Sequence, residues 1–228
     1  MERNIDSLIG YGMHATDGEI GEVVDFYFDD ETWTIRYLIL KTGNWLSGRK
    51  VLISTSGLSP TDIKPGLFPI SITKKKIRQS PDIDTDKPVS RQQEAMLNQH
   101  HFWQNYWGSG SYGGEMGIAN ALPVRIKEID RDPAEDIHLR SIAEVSGYAV
   151  HASDGEIGHV GDFIVDDQTW KLIDLVVDTH NWIGGKKVLV EVTHVHSISF
   201  LNRLVYVHIP IAAINDSKLF EEAEYSQD

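Results

Sequence analysis

The sequence predicts a mainly β protein: two small antiparallel β-barrels in a pseudo-two-fold arrangement, joined by a linker that contains one α-helix. Two observations predict this class. A long stretch of the chain recurs 137 residues later, and each copy has short apolar runs separated by turn residues at intervals of about 8–12 residues. The predicted domains are copy one at 1–80, the linker at 81–139 with an aromatic-rich helix at about 90–106, copy two at 140–220 and an acidic tail at 221–228.

The repeat is the strongest signal in the chain. Residues 10–21 reappear as residues 147–158, and between residues 10 and 52 the two copies are identical at 24 of 43 positions without a gap. A duplicated domain accounts for this match. Because a domain of roughly 75 residues buries relatively little surface, we expect the two copies to pack against each other like the subunits of a homodimer.

Each predicted strand follows from a local pattern. The Asp-Gly pair at 17–18 is a hairpin signal, and the Asp-Asp pair at 29–30 opens a turn in which a short polar side chain can bond the backbone two residues on. Apolar runs around these turns predict strands. In copy one the runs are 20–28, 33–40, 50–54 and 67–72, and in copy two they are 157–165, 170–177, 187–192 and 204–209. A short helix starting at Thr73 or Pro210 is predicted to close each copy, since both residue types suit a helix start.

Residues 10–53 resemble the hallmark stretch of the PRC-barrel family, with its Asp-Gly-Glu-Ile-Gly motif, its Asp-Asp-x-Thr-Trp turn and its Asn-Trp…Lys-Val-Leu strand. Residues 147–190 show the same motifs. Copy two departs from the family pattern at its end, where Pro210 stands in place of Thr73, and this concerns the last helix alone. The layout is similar to that of tandem PRC-barrel proteins of bacteria, so the resemblance implies two PRC-type barrels.

The resemblance also implies protein docking without a shared active site. One branch of the family is the cytoplasmic part of the photosynthetic reaction-centre H subunit, which docks on membrane subunits. Another is the C-terminal domain of the ribosome maturation factor, which binds a small-subunit protein. The sequence shows neither the membrane helix of the first nor the separate N-terminal domain of the second, so neither role is expected to transfer directly. A photosynthetic, a ribosomal and a stress-related role all stay open.

Composition narrows the expected partners. The formal net charge is −13, which argues against DNA as a partner and disfavours RNA. Residues 1–80 are balanced, whereas residues 141–228 carry five basic and fourteen acidic side chains. The basic cluster at 74–78 is interpreted as a solvated helix face in preference to an anion or RNA contact. Another protein is therefore the expected partner, and its identity is open, as are peripheral docking on a membrane complex and homo-oligomerisation.

The same composition predicts a cytoplasmic location. The chain has no cysteine and no apolar run of about 18 residues, and its first residues do not have the pattern of a signal peptide. We therefore expect no disulfide, no thiolate metal site and no inserted membrane segment.

The linker provides the candidate docking surface. Its predicted helix has aromatic residues at spacings i, i+1, i+4 and i+5, which form one broad face. These residues are Phe102, Trp103, Tyr106 and Trp107. Such a face packs on a barrel in the preferred interpretation, and in the alternative it is a docking surface for another chain.

No residue pattern predicts catalysis or a cofactor. Acidic residues recur in both copies, and structural turns are favoured for them over weak cation binding. His194 and His196 are predicted to lie on one strand face and form half of a metal site. The alternative to protein binding is a metal- or small-ligand-binding protein that uses the acidic turns or this histidine pair. The repeated tryptophans, which are Trp33, Trp45, Trp170 and Trp182, are assigned to barrel core and rim. The expected function is a non-catalytic protein-binding or scaffolding module.

Overall fold

The computed structural model describes residues 1–43, 46, 48–58, 65–79, 139–179 and 185–226. Within these ranges the protein is mainly β, as predicted. The strands are β1 Glu2–Asn4, β2 Gly12–Ala15, β3 Gly18–Asp29, β4 Thr34–Thr42, β5 Lys50–Ser54, β6 Leu67–Pro69, β7 Leu139–Ser141, β8 Ala149–Ala152, β9 Gly155–Asp166, β10 Lys171–Asp178, β11 Lys187–Glu191, β12 Val195–Ser199 and β13 Leu204–Val207. The helices are α1 Lys74–Arg78, α2 Ile142–Val145, α3 Ile211–Asn215 and α4 Glu222–Tyr225. None of the helices in these ranges has the length and apolar character needed to cross a bilayer.

The duplication predicted from the sequence is present in the fold. Strands β1 to β6 have counterparts 137 residues later in β7 to β11 and β13, and the closing helix α1 has its counterpart in α3. Both closing helices begin where predicted, since Thr73 is the N-cap of α1 and Pro210 that of α3. Strand β12 lacks such a partner in the described residues, because most of its matching positions, 58–62, lie outside them.

The two copies form one continuous sheet. Its strand order is β12-β13-β8-β9-β10-β4-β3-β2-β6, so β10 and β4 join copy two to copy one. Most pairs are antiparallel, as expected, but β2 pairs with β6 and β8 with β13 in parallel. The parallel pairs arise because the last strand of each copy returns to the outer side of its first hairpin. Within the described residues the sheet does not close, and the two PRC-type copies form the two halves of one sheet.

Each copy donates its first strand to the other copy. Strand β1 pairs with β9, with Arg3 opposite Val165, and β7 pairs with β3, with Arg140 opposite Phe28. The sequence interpretation did not include these strands. The exchange is reciprocal, because β1 and β7 are equivalent and so are β9 and β3.

The pseudo-two-fold axis passes between β4 and β10. Thr34 pairs with Lys171, which is its own counterpart in the repeat. The amide of Ile35 donates to the carbonyl of Trp170 at 2.8 Å, and the amide of Leu172 donates to the carbonyl of Trp33 at 2.8 Å. A residue that meets its own equivalent is the signature of two-fold pairing.

One apolar core serves both copies. A single cluster of buried side chains includes residues from β2 to β6, from β8 to β11 and from β13, and side chains of β12 pack against it. The ring of Trp170 in copy two lies 6.3 Å from that of Phe26 and 6.0 Å from that of Phe68, both in copy one. Phe28 and Phe163 meet at 5.7 Å across the same boundary. The copies are therefore one folding unit in packing terms, because separating them would expose these rings.

Two local features differ from the predicted strands. The apolar positions of β3 are not spaced by two, because the pairing of β3 with β4 shifts register twice, between Val23 and Asp25 and between Tyr27 and Phe28.

Trp33 and Trp170 precede β4 and β10 instead of starting them. Their φ angles are 51° and 59°, a left-handed conformation that closes the turn and that non-glycine residues rarely adopt.

Replacing Gly21 by Ala should destabilise the protein strongly. A Cβ atom at Gly21 would lie 2.1 Å from the carbonyl oxygen of Lys41 on β4, so the backbone would have to move. We expect Gly21→Ala to lower the free energy of unfolding by about 3 kcal/mol or more, in the range of severe overpacking. Urea denaturation measures this change.

Gly12→Ala is the matched control for this prediction. A Cβ atom there would meet side-chain and backbone atoms at 3.5 and 3.6 Å, which are ordinary van der Waals contacts. The control should lose about 1 kcal/mol or less. Equal effects of the two substitutions would contradict the close approach of β3 and β4 at Gly21.

Candidate docking site

Five acidic positions recur in both copies, and the sequence interpretation assigned them to turns. They are Asp17, Glu19, Asp25, Asp29 and Asp30, with Asp154, Glu156, Asp162, Asp166 and Asp167 as counterparts. The structure confirms a turn role for Asp29 and Asp166. The Oδ1 atom of Asp29 accepts hydrogen bonds from the amides of Glu31 at 3.0 Å and Thr32 at 2.8 Å.

The first matched pair of aspartates holds the closing helices. The carboxylate of Asp17 accepts a hydrogen bond from the amide of Lys74 at 2.8 Å, and Asp154 accepts one from Ile211 at 2.8 Å. Each bond ties the tip of the first hairpin to the first residue of α1 or α3. These carboxylates thus have a structural role, although it extends beyond the turn itself.

The last matched pair of aspartates forms ion pairs between the copies. Arg140 on β7 donates to Asp30 in copy one at 2.7 Å, and Arg3 on β1 donates to Asp167 in copy two at 2.9 Å. In both cases the arginine lies on the exchanged strand and the aspartate lies in the turn beside it. The ion pairs fix the exchanged strands in register.

Asp25 and Asp162 correct the turn interpretation, because they lie within β3 and β9 and bind the other copy. Asp25 accepts hydrogen bonds from the Ser141 hydroxyl and from the amide of Ala143 at 3.0 Å. Asp162 accepts hydrogen bonds from the Asn4 Nδ2 at 3.0 Å and from the amide of Asp6 at 3.3 Å. Ser141 and Asn4 are the last residues of the exchanged strands, and Ala143 and Asp6 lie in the helical turns that follow them.

Burial changes the acidity of both carboxyl groups. It raises the pKa of Asp25 above its usual range, against the hydrogen bonds from Ser141 and Ala143. Burial, with a smaller contribution from the negative charge of Asp6, raises the pKa of Asp162 to about 6. Asp162 is 4% exposed. A raised pKa is typical of functional sites, but here the carboxylates are engaged with backbone and side-chain donors of the same chain.

The histidine prediction is not reproduced in its geometry. His194 ends a 3-10 turn, Val192–His194, while His196 lies on β12, so the two do not share a strand face. His194 instead faces His208, with 3.4 Å between Nδ1 and Nε2. Within the described ranges, no group of three or more histidine and carboxylate side chains is placed to hold a metal ion.

A cleft beside Trp33 is lined by residues of both copies. It has a volume of about 330 Å³, and copy one supplies Asp30, Glu31 and Trp33 to its wall. Arg140 on the exchanged strand lines it too. The residues of copy two in the cleft are Val195, His196, Ser197 and Ile198 of β12. Trp33 is half-buried there, whereas its counterpart Trp170 is 5% exposed.

Strand β12 ends the sheet beside this cleft. Among the described residues it pairs with β13 alone. The β12–β13 hairpin ends in two apolar residues that point into solvent, Phe200 at 41% and Leu201 at 91% exposed. An edge strand next to an aromatic cleft and an exposed apolar tip is the arrangement that binds extended peptides.

Six residues singled out from the sequence lie outside the described residues. They are the linker aromatics Phe102, Trp103, Tyr106 and Trp107 and the tryptophans Trp45 and Trp182. The sequence interpretation also missed residues that the structure uses. Arg3 and Arg140 were missed although they are identical at the repeat offset, as are Ile5 and Ile142. Extending the comparison toward the N-terminus would have shown that the repeat includes these segments, but not that they pair with the other copy.

Comparison with known families agrees with this architecture. A family model described as PRC-barrel domain matches residues 2–77 and 138–213, which together make up about two thirds of the chain. The two matched ranges begin at or next to the exchanged strands β1 and β7 and end within α1 and α3. The comparison with curated proteins returned no match.

The raised pKa of Asp162 predicts a pH-dependent stability. An acid with a higher pKa in the folded than in the unfolded state makes the folded state bind more protons between the two values. The free energy of unfolding should therefore fall as the pH rises from about 4 to about 6, by up to about 3 kcal/mol from this group. Asp162→Asn removes this contribution, so the variant should gain stability relative to the native chain across the same interval. Urea denaturation between about pH 3 and about pH 7, which extends about one unit beyond both pKa values, measures the difference.

Asp216→Asn is the control, because Asp216 is exposed on the surface of copy two. Its stability should follow the native curve at every pH. A stability difference between Asp162→Asn and the native chain that is the same at every pH would contradict the assignment.

Proposed function

We propose that this chain, which belongs to the PRC-barrel family, is a scaffolding module that binds an extended segment of another protein along β12. PRC-barrel domains are typically non-enzymatic modules, and the proposed module has no catalytic residues. The observation that supports the proposal is the combination of an edge strand with the Trp33 cleft on one side and an apolar hairpin tip at its end.

The edge of β12 can supply the affinity. A strand that has a partner on one side presents backbone donors and acceptors on the other, and a peptide that adds to it forms main-chain hydrogen bonds. The exposed tip at Phe200 and Leu201 adds apolar area next to these bonds. Two neighbouring apolar side chains with this much exposure favour a role of the hairpin tip in an interface with another molecule.

Trp33 can supply the specificity. Its left-handed backbone conformation costs about 1–2 kcal/mol, and its carbonyl is held by the amide of Leu172 in the other copy. The backbone of Trp33 is therefore held by the other copy, and its indole stacks on the ring of Phe28 at 5.5 Å at the wall of the cleft. A rigid aromatic wall next to a cleft of this size accommodates one apolar side chain of a bound segment.

Charge indicates the chemistry of the bound segment. Residues 141–228 carry a net charge of −9, from five basic and fourteen acidic side chains. The basic residues of a bound segment would therefore complement the negative charge of copy two. Apolar residues that alternate with them would fit the cleft beside it. We further propose that the module acts in the cytoplasm of a bacterium, as an adaptor. A partner that belongs to a membrane complex is compatible with this surface.

A library of random peptides displayed on phage tests the proposal with purified chain. We expect selection to enrich peptides that alternate apolar with basic residues, because such peptides can add to β12 as a strand. The double substitution Phe200→Asp and Leu201→Asp should abolish their binding. Trp33→Ala should weaken binding at least about tenfold, the loss expected of an aromatic anchor.

Lys75→Glu is the control, because Lys75 is exposed on α1 in the other copy. It should leave peptide binding unchanged. Selection of no peptide, or of peptides that bind the Phe200→Asp, Leu201→Asp variant equally well, would contradict docking at β12.

A further inference from the structure

The outside of the copy-two sheet is covered by the chain itself. Ile164, Val176 and Leu189 form an apolar patch on the side of β9, β10 and β11 that faces away from the shared core. Phe220 and Tyr225 pack on this patch, and Tyr225 is 4% exposed. We call this patch the outer face of copy two.

The covering segment is attached by both backbone and side chains. The amide of Leu189 donates to the carbonyl of Lys218 at 2.8 Å, and the amide of Phe220 donates to that of Lys187 at 2.9 Å. The rings of Phe220 and Tyr225 stack at 5.6 Å. Copy two thus shows that its outer face accepts a short segment with two aromatic residues as anchors.

Copy one has an equivalent outer face that is more aromatic. Tyr27, Ile39 and Leu52 are the counterparts of Ile164, Val176 and Leu189, and Tyr37 extends the patch. These four side chains are 2%, 2%, 3% and 1% exposed, respectively. Side chains on the outside of a sheet reach such low exposure when a second layer covers them.

Among the described residues, two further side chains of the same sheet contact the patch. Leu139 belongs to the patch and Val24 packs against it. The counterparts of α4 are residues 85–88, which lie outside the described ranges, as does all of 80–138. This undescribed stretch follows Gln79 at the end of α1 and leads into Leu139, which itself lies in the patch.

The anchors of copy two are not repeated at the matching positions of copy one. The counterparts of Phe220 and Tyr225 are Ile83 and Pro88, so the segment directly after α1 lacks both rings. The aromatic residues between 80 and 138 are Phe102, Trp103, Tyr106, Trp107 and Tyr112. The first four have the spacing of one helix face, and a tyrosine-rich patch favours aromatic partners.

We propose that the outer face of copy one, formed by Tyr27, Tyr37, Ile39 and Leu52, is a docking surface for the chain's own linker aromatics, Phe102, Trp103, Tyr106 and Trp107. The linker then takes the place on copy one that the C-terminal segment takes on copy two. This inference is independent of the β12 site. It concerns the outer face of copy one and a segment of the same chain, whereas β12 belongs to copy two and is proposed to bind another protein.

Hydroxyl-radical footprinting of the full chain tests the inference, because it reports the exposure of individual tyrosines. In the native chain Tyr27 and Tyr37 should be protected. Replacing all four linker aromatics by Ala should increase the labelling of both tyrosines several-fold and leave Ile164 and Leu189 protected. The variant Phe220→Ala, Tyr225→Ala is the matched control and should expose Ile164 and Leu189 alone.

A second measurement uses a chain in which the linker is intact. Lys41 is exposed and lies on the same side of β4 as Tyr37 and Ile39. A benzophenone photo-crosslinker in place of Lys41 should form an intramolecular adduct with residues 102–107. This readout stays valid even where the four-alanine variant loses its fold.

Three results would overturn the inference. Tyr27 and Tyr37 could stay protected in a folded four-alanine variant, which would assign the cover to another segment. The substitutions Ile83→Ser and Pro88→Ser could expose both tyrosines by themselves, which would assign it to the stretch directly after α1. The adduct at position 41 could be intermolecular, which would assign it to a second copy of the chain.

Discussion

The exchange of first strands between the two copies is the constraint on which the rest of the structure depends. Each of β3 and β9 has an edge that its own copy leaves open and that the other copy fills with β7 or β1. The carboxylates of Asp25 and Asp162 accept hydrogen bonds from the ends of those strands and from the turns after them. Removing one copy would take these donors away from the carboxylate of the other and open a sheet edge, and both changes are destabilising. The tandem arrangement is therefore required for either half to be complete.

This constraint also explains how one surface can be built from two copies. Trp33 comes from copy one and β12 from copy two, yet both line one cleft. Their relative position is fixed by the shared core and by the hydrogen bonds at the pseudo-two-fold axis. There the backbone carbonyls of Trp33 and Trp170 each accept a hydrogen bond from an amide of the opposite copy. A docking site between two loosely tethered barrels would have to be ordered on binding, at a cost in entropy. A shared core removes that cost in advance.

Local chemistry was predictable from the sequence, and long-range pairing was not. The hairpin at Asp17-Gly18, the turn at Asp29 and the closing helix after Thr73 depend on neighbours within a few residues, and each was predicted. Strands β1 and β7 have three residues each, too few for a periodic pattern, and their partners are more than 100 residues away. Asp25 and Asp162 were assigned to turns for the same reason, since their donors are 116 to 158 residues away in sequence. The repeat thus predicts where in each copy a carboxylate lies. It does not predict which segment of the other copy donates a hydrogen bond to that carboxylate.

The two copies differ where one side chain of the shared core differs. The ring of Phe68 lies 6.0 Å from that of Trp170, and the counterpart of Phe68 in copy two is Val205, which has no ring. Trp170 is buried in the core, whereas Trp33 lies at the wall of a cleft. Because the two copies share one core, two equivalent tryptophans can have different roles. One can stabilise the joined copies while the other remains accessible. The same reasoning applies to the outer faces, where the repeat keeps an apolar patch in both copies and the chain differs in the segment it provides to cover each one.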